Sequence, residues 1–236
     1  MTGADLTQFI TARRSEGKAA QTIKHGVQFI CAVMKQARRE GFDVSPVETP
    51  VVPVKSKRLR YLSQDEEDRL LKELDPQRTG HSIPEYKDRP SHIIKELHDN
   101  YDLVILLLDT GARYSEIAKI KWDQIDLEDR SIRLWRPKVR NESIIYMTSR
   151  VFDVLSKRNE TRNNQYVFTN RSGGHRGPTC TGIRKAYKRA GLLDCTIHTL
   201  RHTHASRLVQ NGLSIYEVRS VLGHTDITTT MRYPNQ

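Results

Sequence analysis

Cysteine is scarce: the 236 residues hold only Cys31, Cys180 and Cys195. Their wide spacing and odd number leave no CxxC pair, so neither a disulfide framework nor a zinc knuckle is supported, and a reduced, cytoplasmic setting is expected. Long apolar runs are missing as well. The longest, Leu103 to Leu108, has six residues, against the roughly 20 that a membrane-spanning helix requires; no membrane partner is expected. The opening Met-Thr-Gly-Ala-Asp has neither the basic nor the apolar stretch of a secretory signal. No internal repeat or low-complexity tract occurs. Acidic residues are in the minority, 28 against 39 Lys and Arg, which gives a net charge of +11. That excess favours a polyanion, because each phosphate met by Lys or Arg releases condensed counterions. Charge alone also leaves room for a merely basic soluble protein.

What is present falls into three stretches. Residues 1–45 read as a small helical unit. Leu6, Phe9 and Ile10 suggest a short amphipathic helix closed by Gly17. Ile23, Val27, Ile30, Met34 and Ala37 then form a one-face stripe, with Thr22 as the expected N-cap and Gly41 at the C-terminal end. So short a unit buries too little area to stand alone, so it is expected to lean on a partner. Residues 46–57 hold Pro46, Pro50 and Pro53 and read as a linker. Lys55, Lys57, Arg58 and Arg60 cluster around its end and are candidates for contact with a nucleic-acid backbone.

Residues 58–236 form the large stretch. Ser63 to Glu66 is a capping box before Leu70, Leu71 and Leu74. Residues 76–91 read as a loop. A helix through Leu97, Tyr101, Val104, Ile105 and Leu108 ends at Gly111, and its apolar run implies burial on nearly all sides. Ile132 and Leu134 alternate with Arg133 and Trp135 as a strand. A charged turn follows at 137–142, and 144–147 form the return strand. From Thr179 onward the pattern is helical again, with a second capping box at Ser214 to Glu217.

The chemistry-bearing residues sit in separated boxes: Thr110-Gly-Ala-Arg-Tyr-Ser-Glu116, His198-Thr-Leu-Arg201-His202, Leu222-Gly-His224, and Tyr233. Attack on a phosphodiester requires a nucleophile, positive charge on the non-bridging oxygens, and a proton for the leaving 5′ oxygen. Arginine suits the second task, since its planar fork meets two phosphate oxygens and stays charged. Arg113 follows Gly111, where a turn can aim it into a cleft; Arg201 lies three residues after His198, so on a helix both project from one face. Each residue also has a plainer role open to it: Arg113 as a surface partner of Glu116, His224 as a helix-ending residue, Tyr233 as packing. His198, His202 and His204 invite a zinc reading, but no HExxH pattern or cysteine pair accompanies them. Plain roles coinciding for all of these residues in this order is much the less economical account.

These boxes resemble the motifs of the tyrosine recombinase (phage integrase) family, and the match covers roughly 58–236; residues 1–45 are similar, more weakly, to the family's helical core-binding domain. The resemblance implies a mainly α fold with a small antiparallel β-sheet, arranged as a two-domain clamp of core-binding and catalytic domains on double-stranded DNA. It implies that Arg113 and Arg201 hold the scissile phosphate and that Lys138, in the turn between the strands, protonates the leaving 5′ hydroxyl. His198 and His224 would bond the phosphate, Tyr233 would attack to leave a 3′-phosphotyrosine, and Glu116 would buttress the site. Arg136 and Arg140 flank Lys138 and are further candidates for DNA contact. Energy is conserved in the covalent bond, so no cofactor and no metal are expected.

Site-specific integration or excision of a mobile element, by a homotetramer on DNA with accessory directionality or architectural proteins, completes the implied picture. The alternatives are a type IB topoisomerase-like relaxation and a non-cleaving DNA-binding regulator on the same scaffold. The family commonly continues beyond the tyrosine with a further helix, whereas Pro234, Asn235 and Gln236 end this sequence; either the chain is cut short or subunit coupling differs. The front end lacks an arm-binding domain, which predicts contact with core sites only.

Overall fold

The computed structural model describes residues 2–54, 59–80, 83–136 and 141–223. It divides into two compact units, Met1–Lys57 and Arg58–Gln236. In the first unit, helix α1 spans Gly3–Ser15 and α2 spans Ala20–Arg39. Thr2 caps α1 in a reciprocal box with Asp5, whose carboxylate takes the Thr2 amide at 2.6 Å. The N-cap of α2 is Ala19, not the expected Thr22. Gly17, at φ 71°, turns the chain early enough that an extended Ala19 leads straight into the helix. Ile10, Ile23, Val27 and Val52 form the small core. Val52 belongs to the Pro-rich stretch, so that stretch is anchored at this point. Of the α2 stripe, Ile23 and Val27 are buried, whereas Ile30, Met34 and Ala37 are half-buried.

The second unit opens with α3 (Gln64–Leu74), whose Ser63/Glu66 capping box forms as expected. The 76–91 loop holds one 3₁₀ turn, Tyr86–Asp88. Arg89 pins this loop from inside, donating to the carbonyls of Pro76, Arg78 and Pro84 at 2.6–2.9 Å. Helix α4 (Ser91–Thr110) follows, with the whole of Leu103–Leu108 buried. It ends at left-handed Gly111, φ 59°. Then come the short α5 (Tyr114–Ala118), β1 (Ile125–Asp126), β2 (Ser131–Arg136) and β3 (Asn141–Tyr146).

The sheet is antiparallel in the order β1-β2-β3, with Ile132 opposite Ile145 on its buried face. The return strand begins at Asn141, three residues earlier than the expected 144, because Arg136 still pairs with Asn141. Helices α6 (Ser149–Glu160), α7 (Thr181–Arg189), α8 (Ile197–Gln210) and α9 (Ile215–Leu222) follow among the described residues. Ser214 and Glu217 cap α9 reciprocally. Among the described residues, no helix is long and apolar enough to cross a membrane.

Candidate active site

The end of α4 is the point on which the site is built. Gly111 lies in the left-handed region that glycine enters without strain. Space also demands glycine there: a Cβ would sit 2.5 Å from His204 Cδ2 and 2.9 Å from Leu222 Cδ2. Two residues on, Arg113 is the N-cap of α5. Glu116 fixes it twice, accepting the Arg113 amide at 2.8 Å and its Nη1 at 2.7 Å. Glu116 is almost fully buried while Arg113 is partly exposed. The carboxylate therefore acts as a rigid anchor that sets the direction of the guanidinium.

Arg201 comes from α8 and is buried, at 6% exposure. Its Nη1 donates to Gly111 O at 2.6 Å and its Nη2 to Leu222 O at 2.7 Å. One guanidinium thus joins three segments: α8, the turn that launches Arg113, and the end of α9, which leads to His224. Charged donors on helix-terminal carbonyls are favoured by the helix dipole, and burial strengthens the bond. His204, one turn further along the same face of α8, brings Nδ1 to Leu108 O at 2.9 Å. Burial pushes the His204 pKa down, so the ring is neutral at physiological pH and the nitrogen facing a carbonyl carries its proton.

His198 is exposed on the first turn of α8, and His202 is half-buried on the helix. Among the described residues no group of three His, Cys, Asp or Glu gathers at metal-binding distance. Tyr114, beside Arg113, ties α5 to the 176–179 loop through Gly177 O at 2.8 Å and Thr179 O at 3.2 Å. Arg176 bridges from the Tyr114 hydroxyl to Asn100 on α4.

Lys138, Arg140, His224, Tyr233, Lys55, Lys57 and Arg58 lie outside the described residues, and Arg136 ends β2 with only its backbone described. Arg60 is engaged within its own unit, at 2.7 Å from Asp194 and at hydrogen-bond distance from both oxygens of Glu66. The structure thus joins Arg201 to the backbone that carries Arg113. It adds His204 and Tyr114, which sequence reasoning left without a role. The three-residue step from Arg201 to His204 was the available signal for the former; nothing local marks the latter.

The family model described as the phage integrase family matches residues 60–236. Over 166 residues the chain is 28% identical to a tyrosine recombinase of Thermosipho africanus, a match covering 66% of this chain and 59% of that protein. Over 246 residues it is 28% identical to the tyrosine recombinase XerD of Listeria monocytogenes, covering 98% of this chain and 76% of that one. The chain therefore spans about three fifths of the Thermosipho protein. In fold it is similar to a crystal structure of the XerH site-specific recombinase bound to difH substrate. The TM-score is 0.76 at 18% identity, covering 99% of this chain and 67% of that one.

Proposed function

The chain belongs to the phage integrase family, and from that premise we propose that it cleaves and rejoins duplex DNA through a phosphotyrosine intermediate. The Tyr233 hydroxyl attacks the scissile phosphorus and passes its proton to the histidine pair, His198 and His224; the P–O5′ bond breaks, leaving a 3′-phosphotyrosine and a free 5′ hydroxyl. Lys138 supplies the proton to the leaving oxygen. Lysine is fitted to this, as a movable proton on a flexible stem, where arginine is too weak an acid. Arg113 and Arg201 hold the non-bridging oxygens and stabilise the pentavalent transition state, with His198 and His224 as hydrogen-bond partners. A 5′ hydroxyl from a second strand reverses the step, and bond energy is conserved without a metal or nucleotide.

The observation that carries this reading is the junction at Gly111. Arg201 grips its carbonyl, and Arg113, two residues later, is aimed by buried Glu116. Two positive forks, each fixed before substrate arrives, suit one phosphate.

The two units act as a clamp, residues 1–45 serving as the core-binding domain and 58–236 as the catalytic domain. Backbone phosphates are met by Lys55, Lys57 and Arg58, by Arg136 and Arg140, and by Arg60 to the extent that DNA competes with Glu66 and Asp194. The reaction is site-specific integration or excision of a mobile element by a homotetramer assembled on DNA, with accessory proteins setting direction, in the cytoplasm.

The deciding experiment is an SDS-resistant adduct assay on nicked duplexes from the flanks of the source element, run with excess EDTA beside Tyr233→Phe. The unaltered protein should form the adduct and Tyr233→Phe should not, with DNA affinity nearly unchanged. Binding without an adduct would support a non-cleaving regulator; relaxation of a closed supercoiled circle carrying the same flanks, without partner exchange, would support a topoisomerase-like activity.

A further inference from the structure

Beside the α4 terminus, four helices are linked by a closed circuit of polar contacts. Arg207 on α8 approaches buried Glu67 on α3, Nη1 to Oε2 at 2.6 Å. Glu67 Oε1 accepts from Arg150 Nη1 on α6 at 2.8 Å. Arg150 then grips Asp109 on α4 through Nε, at 3.1 Å, and through Nη2. Thr148, the N-cap of α6, donates to the same carboxylate at 2.6 Å. From Leu108, next to Asp109, the circuit returns to α8 through His204 Nδ1. His204 is three residues from Arg201 and three from Arg207, so on α8 it neighbours both. The circuit therefore closes at His204, the helical neighbour of the candidate phosphate-binding Arg201.

Glu67 is the hub, at 1% exposure with arginines from two helices against it. Arg207 brings charge to Oε2 at an angle that makes no directed hydrogen bond, so that oxygen is held electrostatically. A buried ion pair of this kind is a weak source of net stability, because desolvation offsets the attraction; what it fixes is geometry. Apolar packing would hold α3, α6 and α8 together without specifying their register to a fraction of an ångström.

We propose that Glu67 is a positioning residue for DNA cleavage, acting through Arg207 on α8 and through Arg150 and Asp109 on the end of α4, so that Arg201 and Arg113 meet the same phosphate. This rests on the DNA-cleaving reading above.

The test compares the full chain with Glu67→Gln, Arg207→Gln and the double variant on the nicked duplexes. Single-turnover adduct formation is followed at saturating DNA, with Kd by fluorescence anisotropy and folded fraction by circular dichroism at the same temperature. Glu67→Gln keeps the shape of the side chain and removes its charge. The adduct rate should fall roughly ten- to a hundredfold, the scale of a small misplacement of catalytic groups, while Kd and folded fraction stay within about twofold. The double variant should be no slower than the slower single one. If Glu67→Gln does not fold, Arg207→Gln carries the same expectation, since it cuts the same circuit. A rate within twofold of the unaltered protein, a loss that merely tracks the folded fraction, or single effects that multiply in the double variant would each overturn the positioning role alone. No adduct from the unaltered protein would overturn the functional reading, and this inference with it.

Discussion

Helices α2 and α4 each run for 20 residues, yet two residues of α2 are buried against nine of α4. In α4 the six residues from Leu103 to Leu108 face other elements on every side. In α2 the apolar stripe is partly covered, and Phe29 and Val33 stand 70% and 52% exposed. The difference shows where this chain keeps its rigidity. The helix that ends at the candidate site is clamped along its length by apolar packing and at its tip by hydrogen bonds from α8. The helix of the small unit carries little of the stability, and its open face is available for contacts.

The comparison can be broken from its strongest side first. Leu106→Ala in α4 should cost about 3–5 kcal/mol in urea unfolding, since a fully buried leucine leaves both lost transfer energy and a cavity; a loss below about 1 kcal/mol would mean that α4 is not the rigid element. Gly111→Ala should cost about 1–3 kcal/mol, because it combines a left-handed backbone with a 2.5 Å approach to His204. It should also slow adduct formation by moving Arg113.

A third effect is smaller and depends on pH. Burial holds His204 and His98 below the usual histidine range, so the unfolded chain binds more protons than the folded one as pH falls through about 6.5. Stability should be full above that pH and decline below it. His204→Asn keeps a donor towards Leu108 O and removes the titration, so the urea midpoint should drop less between pH 7.5 and 5.5 than in the unaltered protein. The smallest effect sharpens the other side of the comparison: Phe29→Ser should shift the unfolding free energy by no more than about 0.5 kcal/mol.

Features that depend on near neighbours in sequence were legible. The capping boxes at Ser63 and Ser214, the all-round burial of 103–108 and the turn at Gly111 follow from local chemistry, and the structure contains each. The N-cap of α2 was misplaced because glycine geometry at position 17 outweighed the intrinsic preference of Thr22. Helices α5 and α6 gave little signal: one has five residues, and only Val151 and Leu155 are buried in the other. The spacing of Arg113, Arg201, His224 and Tyr233 pointed to phosphate chemistry, but spacing says nothing of how the arginines are held. Arg201 reaches Gly111 across 90 residues and Arg150 reaches Glu67 across 83. No window of sequence holds both ends of such a bond.

The two carbonyls bonded by Arg201 carry an evolutionary corollary. Its guanidinium closes the ends of two helices, so losing it would remove two buried charge-assisted bonds at a cost of about 1–3 kcal/mol each. Selection for a folded protein would by itself preserve this arginine, whether or not the chain that carries it cuts DNA. Arg201 is thus a poor witness to activity among relatives of this chain. A residue that chemistry alone retains, as proposed for Tyr233, is the better marker of which of them still break strands.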